Sequence, residues 1–271
     1  MDKIPVTLKN VEKTLLLPLW GRAIESQKEK PFLKDEKAAA IMNSMDFDFS
    51  KIAENVAGIS QLSWIGRALV TDRVIGEFIK ERPAATIVNV GCGLDTTFER
   101  VDNGTLRWFD MDLPDVMELR KRYFTESERR KFITSSFLDE DWFSRVGEPG
   151  EILFVAGGVF YYFDEDTMKD FFVRMAEKFH GSEFLFDVAS PAGVRAANRI
   201  VLQGSGMDAS AILKWGLKNP KDIEKWDRDI KILNKHSFFT GLRPSLDFRT
   251  RMGTYMSDFL KIMYMIHLRI E

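Results

Sequence analysis

The chain has 271 residues, and its 39 basic and 41 acidic side chains nearly balance, leaving a formal charge of −2 at pH 7. Without a basic excess, a nucleic-acid partner is not expected. Apolar residues make up 45% of the chain, which is enough to bury a large core. There is a single cysteine, so an intramolecular disulfide is excluded. Together with the lack of a signal-peptide pattern, this predicts a cytoplasmic protein.

Neither a membrane segment nor a metal centre is predicted. The apolar stretch 259–270 is interrupted by charged residues and is much shorter than a membrane span. The three histidines, His180, His236 and His267, are far apart and have no partner at metal-ligand spacing. We therefore expect no membrane association and no metal cofactor.

The first 82 residues are predicted to form a helical N-terminal cap. Between Ile52 and Phe78, apolar residues recur at steps of three and four, which is the period of one helix face. Pro83 ends this pattern, because the residue before a proline avoids the helical conformation.

Beyond the cap, short apolar strands alternate with helices. Strands are predicted over residues 86–90, 106–110, 151–156 and 182–188. A helix is predicted over residues 164–180, with Asp164 as its N-cap and Gly181 at its C-terminal end. This alternation predicts parallel βαβ units in a doubly wound α/β sheet.

The C-terminal third is predicted to begin with helices, of which residues 222–234 form the best candidate. Two strands are then predicted, over residues 246–252 and 257–268, although the alternation in the second is imperfect. The predicted single domain, 1–271, thus consists of a helical cap (1–82), a ligand-binding core (83–190), a helical insertion (191–240) and C-terminal strands (241–271).

A glycine turn, Gly91-Cys92-Gly93-Leu94-Asp95-Thr96, follows the first core strand. In such sheets the ligand lies at the carboxyl ends of the strands. A dinucleotide fingerprint would have a third glycine where Thr96 stands, and that glycine serves pyrophosphate binding. The carboxylate of Asp95 near the helix start instead suits a cofactor without phosphates and with a positive centre, such as S-adenosylmethionine.

Asp112 is the predicted ribose ligand. It lies 21 residues after Gly91, near the spacing at which an acidic residue binds the ribose hydroxyls. The alternative is that Asp112 caps the next helix, but Asp115 is expected to fill that role. Asp110 is interpreted as a neighbour of the site.

Paired glycines follow the strand at 151–156 and leave room for a ligand. Ala156 and Gly157 are assigned to the cofactor site. The aromatic residues that follow can either line a substrate pocket or pack in the core. Among them, Tyr162 is the candidate for orienting the methyl acceptor.

These motifs together resemble the leucine carboxyl methyltransferase family, in particular its polyketide carboxyl methyltransferase branch. The resemblance covers most of the chain. It rests on residues 14–25, Arg67, the turn at 91–97, Asp110-Met111-Asp112-Leu113-Pro114, Leu119-Arg120 and residues 159–162. It implies a Rossmann-like methyltransferase fold with a mostly parallel seven-stranded sheet, and S-adenosylmethionine as the cofactor.

The resemblance also implies roles for individual residues. Arg67 would bind the methionine carboxylate of the cofactor. Gly91 and Gly93 would lie against the cofactor. Ser136 and Phe137 would lie beside the adenine, where the family usually has Asp-Leu. The family also has a glutamate where this chain has Gly157. Another acid, Asp187 or Asp95, would then face the cofactor's amino group.

The predicted activity is S-adenosylmethionine-dependent O-methylation of a carboxylate on a small molecule or peptide. A carboxylate is ionised at neutral pH and needs no general base, whereas a phenol usually needs a base or a metal. Two alternatives remain. The loss of the family glutamate is compatible with a cofactor-binding protein that has weak or no catalysis, and the glycine turn with a nicotinamide-dependent oxidoreductase.

Overall fold

A computed structural model describes residues 3–6, 8, 10–56, 58–147, 151–204 and 212–271. The strands are β1 (Ile4–Pro5), β2 (Met45–Asp46), β3 (Thr86–Val90), β4 (Arg107–Asp112), β5 (Arg130–Thr134), β6 (Ile152–Ala156), β7 (Glu183–Ala189), β8 (Ile230–His236) and β9 (Met263–Ile270). The helices are α1 (Leu16–Ser26), α2 (Glu36–Ser44), α3 (Ser50–Asn55), α4 (Gly58–Glu81), α5 (Thr97–Val101), α6 (Pro114–Arg120), α7 (Glu165–Lys178), α8 (Pro191–Gly204) and α9 (Phe248–Phe259).

Seven strands form the central sheet, in the order β5-β4-β3-β6-β7-β9-β8. All neighbouring pairs from β5 to β7 are parallel, and β9 runs antiparallel to both β7 and β8. The predicted doubly wound, mostly parallel seven-stranded sheet is confirmed. Since β4 and β6 lie on opposite sides of β3, the strand order reverses between β3 and β6, which opens a crevice at their carboxyl ends.

Alternate side chains of the buried strands pack into two different cores. In β6, Ile152 and Phe154 belong to an aromatic core beneath α7, whereas Leu153 and Val155 belong to the core beneath α4. Strands β3, β6 and β7 are buried on both faces because helices cover both sides of the parallel sheet. A third core forms where the cap helices pack over the glycine turn, with Cys92 and Leu94 buried in it.

The helix predicted over 164–180 is α7. Its N-cap is confirmed, because the Asp164 carboxylate accepts a hydrogen bond from the Thr167 backbone N–H at 2.9 Å. Gly181 has a φ of 79° just beyond the helix end, as expected for a C-terminal glycine. The N-cap predicted at Asp115 is wrong: α6 begins at Pro114, and Asp115 lies in its first turn.

The C-terminal third differs from the prediction. The helix predicted over 222–234 is wrong, because a 3-10 turn ends at Lys225 and strand β8 follows. The strand predicted over 246–252 is also wrong, since α9 occupies this segment. Only β9 corresponds to the strand predicted over 257–268, and it starts later. Phe248 and Met252 are exposed on α9, so a prediction that assumes apolar side chains face the core assigns residues 246–252 wrongly.

The structure differs from the prediction at two further places, the edge of the sheet and the N-terminal cap. Strand β5 was not predicted; it is a short edge strand with charged residues at its start. The cap is mainly helical, but it includes the two-residue parallel pairing of β1 with β2. Its long helical pattern is divided at Val56 between α3 and α4.

Candidate active site

A cavity of about 770 Å³ lies at the carboxyl ends of β3, β4, β5 and β6. This is within the range of about 300–1,000 Å³ that small-molecule and cofactor sites occupy. Its wall includes most of the predicted cofactor residues: Arg67, Gly91, Gly93, Asp112, Ser136, Phe137 and Gly157. Ala156, also assigned to the cofactor site, is buried at the end of β6 and does not line the cavity.

Gly91 and Gly93 both have left-handed backbone conformations, with φ values of 61° and 46°. A Cβ at Gly91 would lie 2.4 Å from Cγ2 of Val159, which no real contact permits. A Cβ at Gly93 would lie 3.3 Å from Cβ of Leu15. The two glycines therefore allow the tight turn and also let the cap and the loop after β6 pack closely against it.

Buried arginines hold the carbonyl oxygens of this turn. Arg120, fully buried on α6, donates from Nη1 to the carbonyls of Gly93 at 2.7 Å and Asp95 at 3.0 Å. Arg22, on α1, donates to the carbonyl of Leu94 at 3.1 Å. Sequence reasoning did not assign this role to either arginine. The available signal was an arginine among the apolar residues of a short helix.

Asp110 and Asp112 lie two residues apart on β4, and their surroundings differ. Asp110 is fully buried and is paired with Arg120 at 2.9 Å and Arg130 at 2.8 Å. Asp112 ends the strand at the cavity wall, where its carboxylate accepts hydrogen bonds from the backbone N–H of Gly93 at 2.7 Å and Leu113 at 2.8 Å. Asp110 thus stabilises the core, and Asp112 is available to a ligand.

If Asp112 is the ribose ligand that the sequence predicts, the affinity of the cavity for S-adenosylhomocysteine is expected to depend on pH. Desolvation raises the pKa of Asp112 to about 6, and the ionised carboxylate accepts hydrogen bonds from the two hydroxyls of a ribose more strongly than the neutral acid does. We therefore expect a constant dissociation constant above pH 7, and below pH 6 a loss of affinity that approaches the level of the Asp112→Asn variant. Calorimetric titration between pH 5 and 8 tests this. The Asp112→Asn variant is the control, because its weaker binding should not change with pH.

Asp95 lies at the start of α5 and also lines the cavity. Its carboxylate accepts from the backbone N–H of Thr97 at 3.0 Å and from the side-chain amide of Asn89 at 3.2 Å. Although burial disfavours the charged form, the Arg22 and Arg100 guanidinium groups lower the pKa of Asp95 overall. An ionised carboxylate therefore stands beside the helix start, as the sequence predicted.

Arg67 lies on α4, and its side chain lines the cavity. Its Nη1 pairs with the Asp187 carboxylate at 2.8 Å, and the other oxygen of Asp187 accepts from the Gly158 backbone N–H at 2.6 Å. Gly157 lies next to this pair: a Cβ there would be 3.6 Å from Nε of Arg67. Asp187 is fully buried behind Arg67 and is not part of the cavity wall.

The remaining candidates, Ser136, Phe137 and Tyr162, also line the cavity. The Ser136 hydroxyl accepts from the backbone N–H of Leu138 at 3.2 Å. Phe137 is mostly buried, and its ring packs edge-on against Phe163 at 5.0 Å between centroids. The Tyr162 hydroxyl donates to Oγ1 of Thr14 at 3.2 Å, so it joins the 3-10 turn after β6 to the cap.

Metal ligation and membrane spanning were both assessed over the residues that the structure describes. Within them, no group of three or more histidine, cysteine, aspartate or glutamate side chains could hold a metal ion. None of the helices in these ranges combines the length and apolar character needed to cross a bilayer.

The fold and the cavity define a Rossmann-like α/β protein with a site for a small molecule or cofactor. Among solved structures, the chain is similar to a candidate methyltransferase of Thermobifida fusca, with a TM-score of 0.58, 15% identity, and coverage of 93% of this chain and 94% of that one. It is also similar to a DUF574 family protein of Streptomyces avermitilis, with a TM-score of 0.56, 12% identity, and coverage of 93% and 97%. At these identities the likeness shows the fold.

The chain belongs to the leucine carboxyl methyltransferase family, whose model matches residues 16–176. It is 31% identical over 221 residues to the tetracenomycin polyketide synthesis O-methyltransferase of Streptomyces glaucescens, covering 81% of this chain and 80% of that protein. It is 26% identical over 246 residues to an S-adenosyl-L-methionine-dependent methyltransferase of Gibberella zeae, covering 83% and 81%. The chain is therefore an S-adenosylmethionine-dependent O-methyltransferase, and the oxidoreductase alternative is set aside.

Proposed function

We propose that this enzyme methylates a carboxylate on a largely apolar small molecule. The observation that carries the proposal is that Tyr162 and Lys214 both line the cavity. Burial raises the pKa of Tyr162, so its hydroxyl stays protonated at neutral pH and would turn from Thr14 to donate to a bound carboxylate. A lysine ammonium and a neutral hydroxyl are both donors that a carboxylate accepts from.

The rest of the wall supports an apolar carrier for that carboxylate. The cap contributes Leu15, Leu17 and Pro18, and Trp64 and Phe163 add aromatic surface. The relative from Streptomyces glaucescens is named for polyketide synthesis, and a polyketide is a largely apolar molecule of the kind that this wall would accept. A peptide carboxylate is the alternative acceptor within this proposal.

The cofactor site is proposed to use the residues around the glycine turn. When bound, S-adenosylmethionine supplies an electrophilic methyl group. Asp112 would accept hydrogen bonds from the ribose, and Arg67 would face the methionine carboxylate, an interaction that is strong when both groups are charged. Ser136 and Phe137 would lie beside the adenine.

Asp95 is the acid that we assign to the cofactor's amino group in place of the family glutamate. Of the two acids considered, only Asp95 lines the cavity, and its pKa is lowered so that it is ionised at neutral pH. Asp187 instead is fully buried behind Arg67, to which it is paired, and does not line the cavity. In this arrangement the protein aligns the reactants and excludes water, and a carboxylate acceptor needs no proton removed.

The experiment is methyl transfer from labelled S-adenosylmethionine to a matched panel: an aromatic carboxylic acid, its carboxamide, the corresponding phenol and a short peptide. We expect label on the carboxylic acid, released as methanol in mild alkali because the product is an ester. Lys214→Gln should raise KM for the acid about tenfold or more, the loss expected for a hydrogen bond to a charged group. Lys218→Gln, in an exposed lysine outside the cavity, is the matched control.

Two outcomes contradict the proposal. An alkali-stable methyl ether on the phenol would show that a hydroxyl is the acceptor. Binding of S-adenosylhomocysteine without transfer to any member of the panel would favour a cofactor-binding protein with lost catalysis. Transfer to the peptide alone would move the proposal from a small molecule to a peptide carboxylate.

A further inference from the structure

Helix α9 has its apolar side chains on the solvent side. Large apolar residues are exposed along it: Phe248 (78%), Met252 (50%), Tyr255 (50%), Met256 (57%) and Phe259 (81%), followed by Leu260 (45%) just beyond its end. On an ordinary surface helix the apolar stripe faces the core. An exposed apolar patch of this extent marks an interaction surface.

The opposite face of α9 is polar and bound to its own chain. Thr254 is fully buried, and its hydroxyl lies 3.1 Å from Nε of Arg243. Arg251 donates to the carbonyl of Leu246 at 2.8 Å, and Asp258 accepts from the Ser237 hydroxyl at 2.6 Å. The helix begins with the Asp247 carboxylate accepting from the Thr250 backbone N–H. These bonds fix the rotation of the helix, so the apolar face is turned outward by the fold itself.

We propose that this face pairs with the same face of a second copy of the chain, with the two α9 helices antiparallel about a two-fold axis near Gly253 and Thr254. Four residues form the central stripe: Phe248, Met252, Tyr255 and Phe259. Their spacing of four, three and four is that of a coiled-coil seam. This spacing is also the same when the stripe is read from either end of the helix.

This symmetry is what a two-fold contact requires, because in such an interface residue i of one copy meets residue j of the other, and j meets i. With the axis at the centre of the stripe, Phe248 meets Phe259 of the second copy at both ends of the contact. Met252 meets Tyr255 of the second copy on either side of the axis, a sulfur–aromatic pair. The antiparallel arrangement also places opposite ends of the helix dipoles together.

The exposed area is large enough for a stable pair. A complete aromatic side chain buries about 150–250 Å², so the exposed fractions of three aromatic and three aliphatic side chains amount to roughly 600–800 Å² per copy. A standard specific interface buries about 800 Å² per partner. The apolar patch is therefore about as large as one side of a standard interface.

Sedimentation analysis of the full chain tests the proposal. We expect a dimer at micromolar concentration, and a monomer for Phe248→Glu and for Phe259→Glu, each with a dissociation constant raised at least 100-fold. Leu233→Glu is the matched control, because Leu233 is 45% exposed on β8, outside the stripe, and it should remain dimeric. The far-ultraviolet circular dichroism spectrum of each variant should match that of the parent, since the substituted side chains are on the surface.

Cross-linking tests the antiparallel register. The only cysteine in the sequence, Cys92, is buried, so background disulfides should be low. An equimolar mixture of Phe248→Cys and Phe259→Cys chains should form a reducible heterodimer on mild oxidation. Either variant alone should not, because in the antiparallel pair identical positions lie about 16 Å apart along the helix, beyond the reach of a disulfide.

A parent protein that is monomeric at 100 µM overturns the proposal. So does a dimer that survives both glutamate substitutions, since its interface would lie elsewhere. A monomer that binds anionic vesicles, and loses binding with Phe259→Glu, would assign the face to a membrane surface instead. Cross-linking of a single variant with itself would contradict the antiparallel arrangement.

Discussion

Asp112→Ala is expected to weaken the binding of S-adenosylhomocysteine by about 100-fold or more while the protein remains folded. The carboxylate is available at the cavity wall, and each hydrogen bond from a neutral hydroxyl to a charged acceptor contributes about 1.5–3 kcal/mol. Two ribose hydroxyls would lose this acceptor together. Isothermal titration calorimetry at pH 7.5 measures the change, with far-ultraviolet circular dichroism as the test of folding.

Two variants separate the charge from the structure of the turn. Asp112→Asn keeps an oxygen that can accept from the Gly93 backbone N–H, so it should fall between the parent and Asp112→Ala. Glu118→Ala removes an acid of α6 whose side chain is 76% exposed, and it should bind as the parent does. Unchanged affinity in Asp112→Ala would remove Asp112 from the cofactor site.

Asp110→Ala is expected to destabilise the fold by about 3–5 kcal/mol or to prevent folding. Its carboxylate is fully buried between Arg120 and Arg130 and also accepts from the indole N–H of Trp108 at 2.8 Å. Removing one partner of a buried ion pair leaves uncompensated charge in the core, which is the costly case. The effect should be large although Asp110 is only two residues from Asp112.

Chemical denaturation followed by tryptophan fluorescence measures this difference. Asp102→Ala is the matched control, because Asp102 pairs with Arg129 on the surface, with side chains 25% and 33% exposed. A surface ion pair contributes about 0–1 kcal/mol, so this variant should unfold almost as the parent does. If Asp110→Ala were no less stable than Asp102→Ala, the buried cluster would not hold β4 to β5 and α6.

The contrast between the two aspartates shows how far the sequence could lead. The spacing from Gly91 identified Asp112 as the candidate ribose ligand. This was possible because Gly91 and Asp112 lie close together in the chain, at the ends of two adjacent strands. The burial of Asp110 depends on Arg120 and Arg130, which come from α6 and β5. No local pattern reveals that these two arginines meet the same carboxylate.

The C-terminal third shows the opposite limit. Hydrophobic periodicity assumes that apolar side chains face the core, and α9 breaks this assumption because its buried face is polar. Strand β8 was missed for a related reason: it lies at the edge of the sheet and its middle residues are exposed. The hydrophobic periodicity of edge strands and outward-facing helices is weak or misleading. Their position in the fold is therefore set by contacts with the elements packed beside them.

The sequence by itself determined the alternating βα core, the glycine turn, the candidate ribose ligand and the resemblance to a methyltransferase family. These features depend on residues close together in the chain, where turn geometry and strand period act directly. The tertiary structure decided which arginines hold the turn, which acid remains on the cavity wall and which face of α9 meets solvent. Each of these is set by contacts between distant segments, whose burial and charge no local pattern contains.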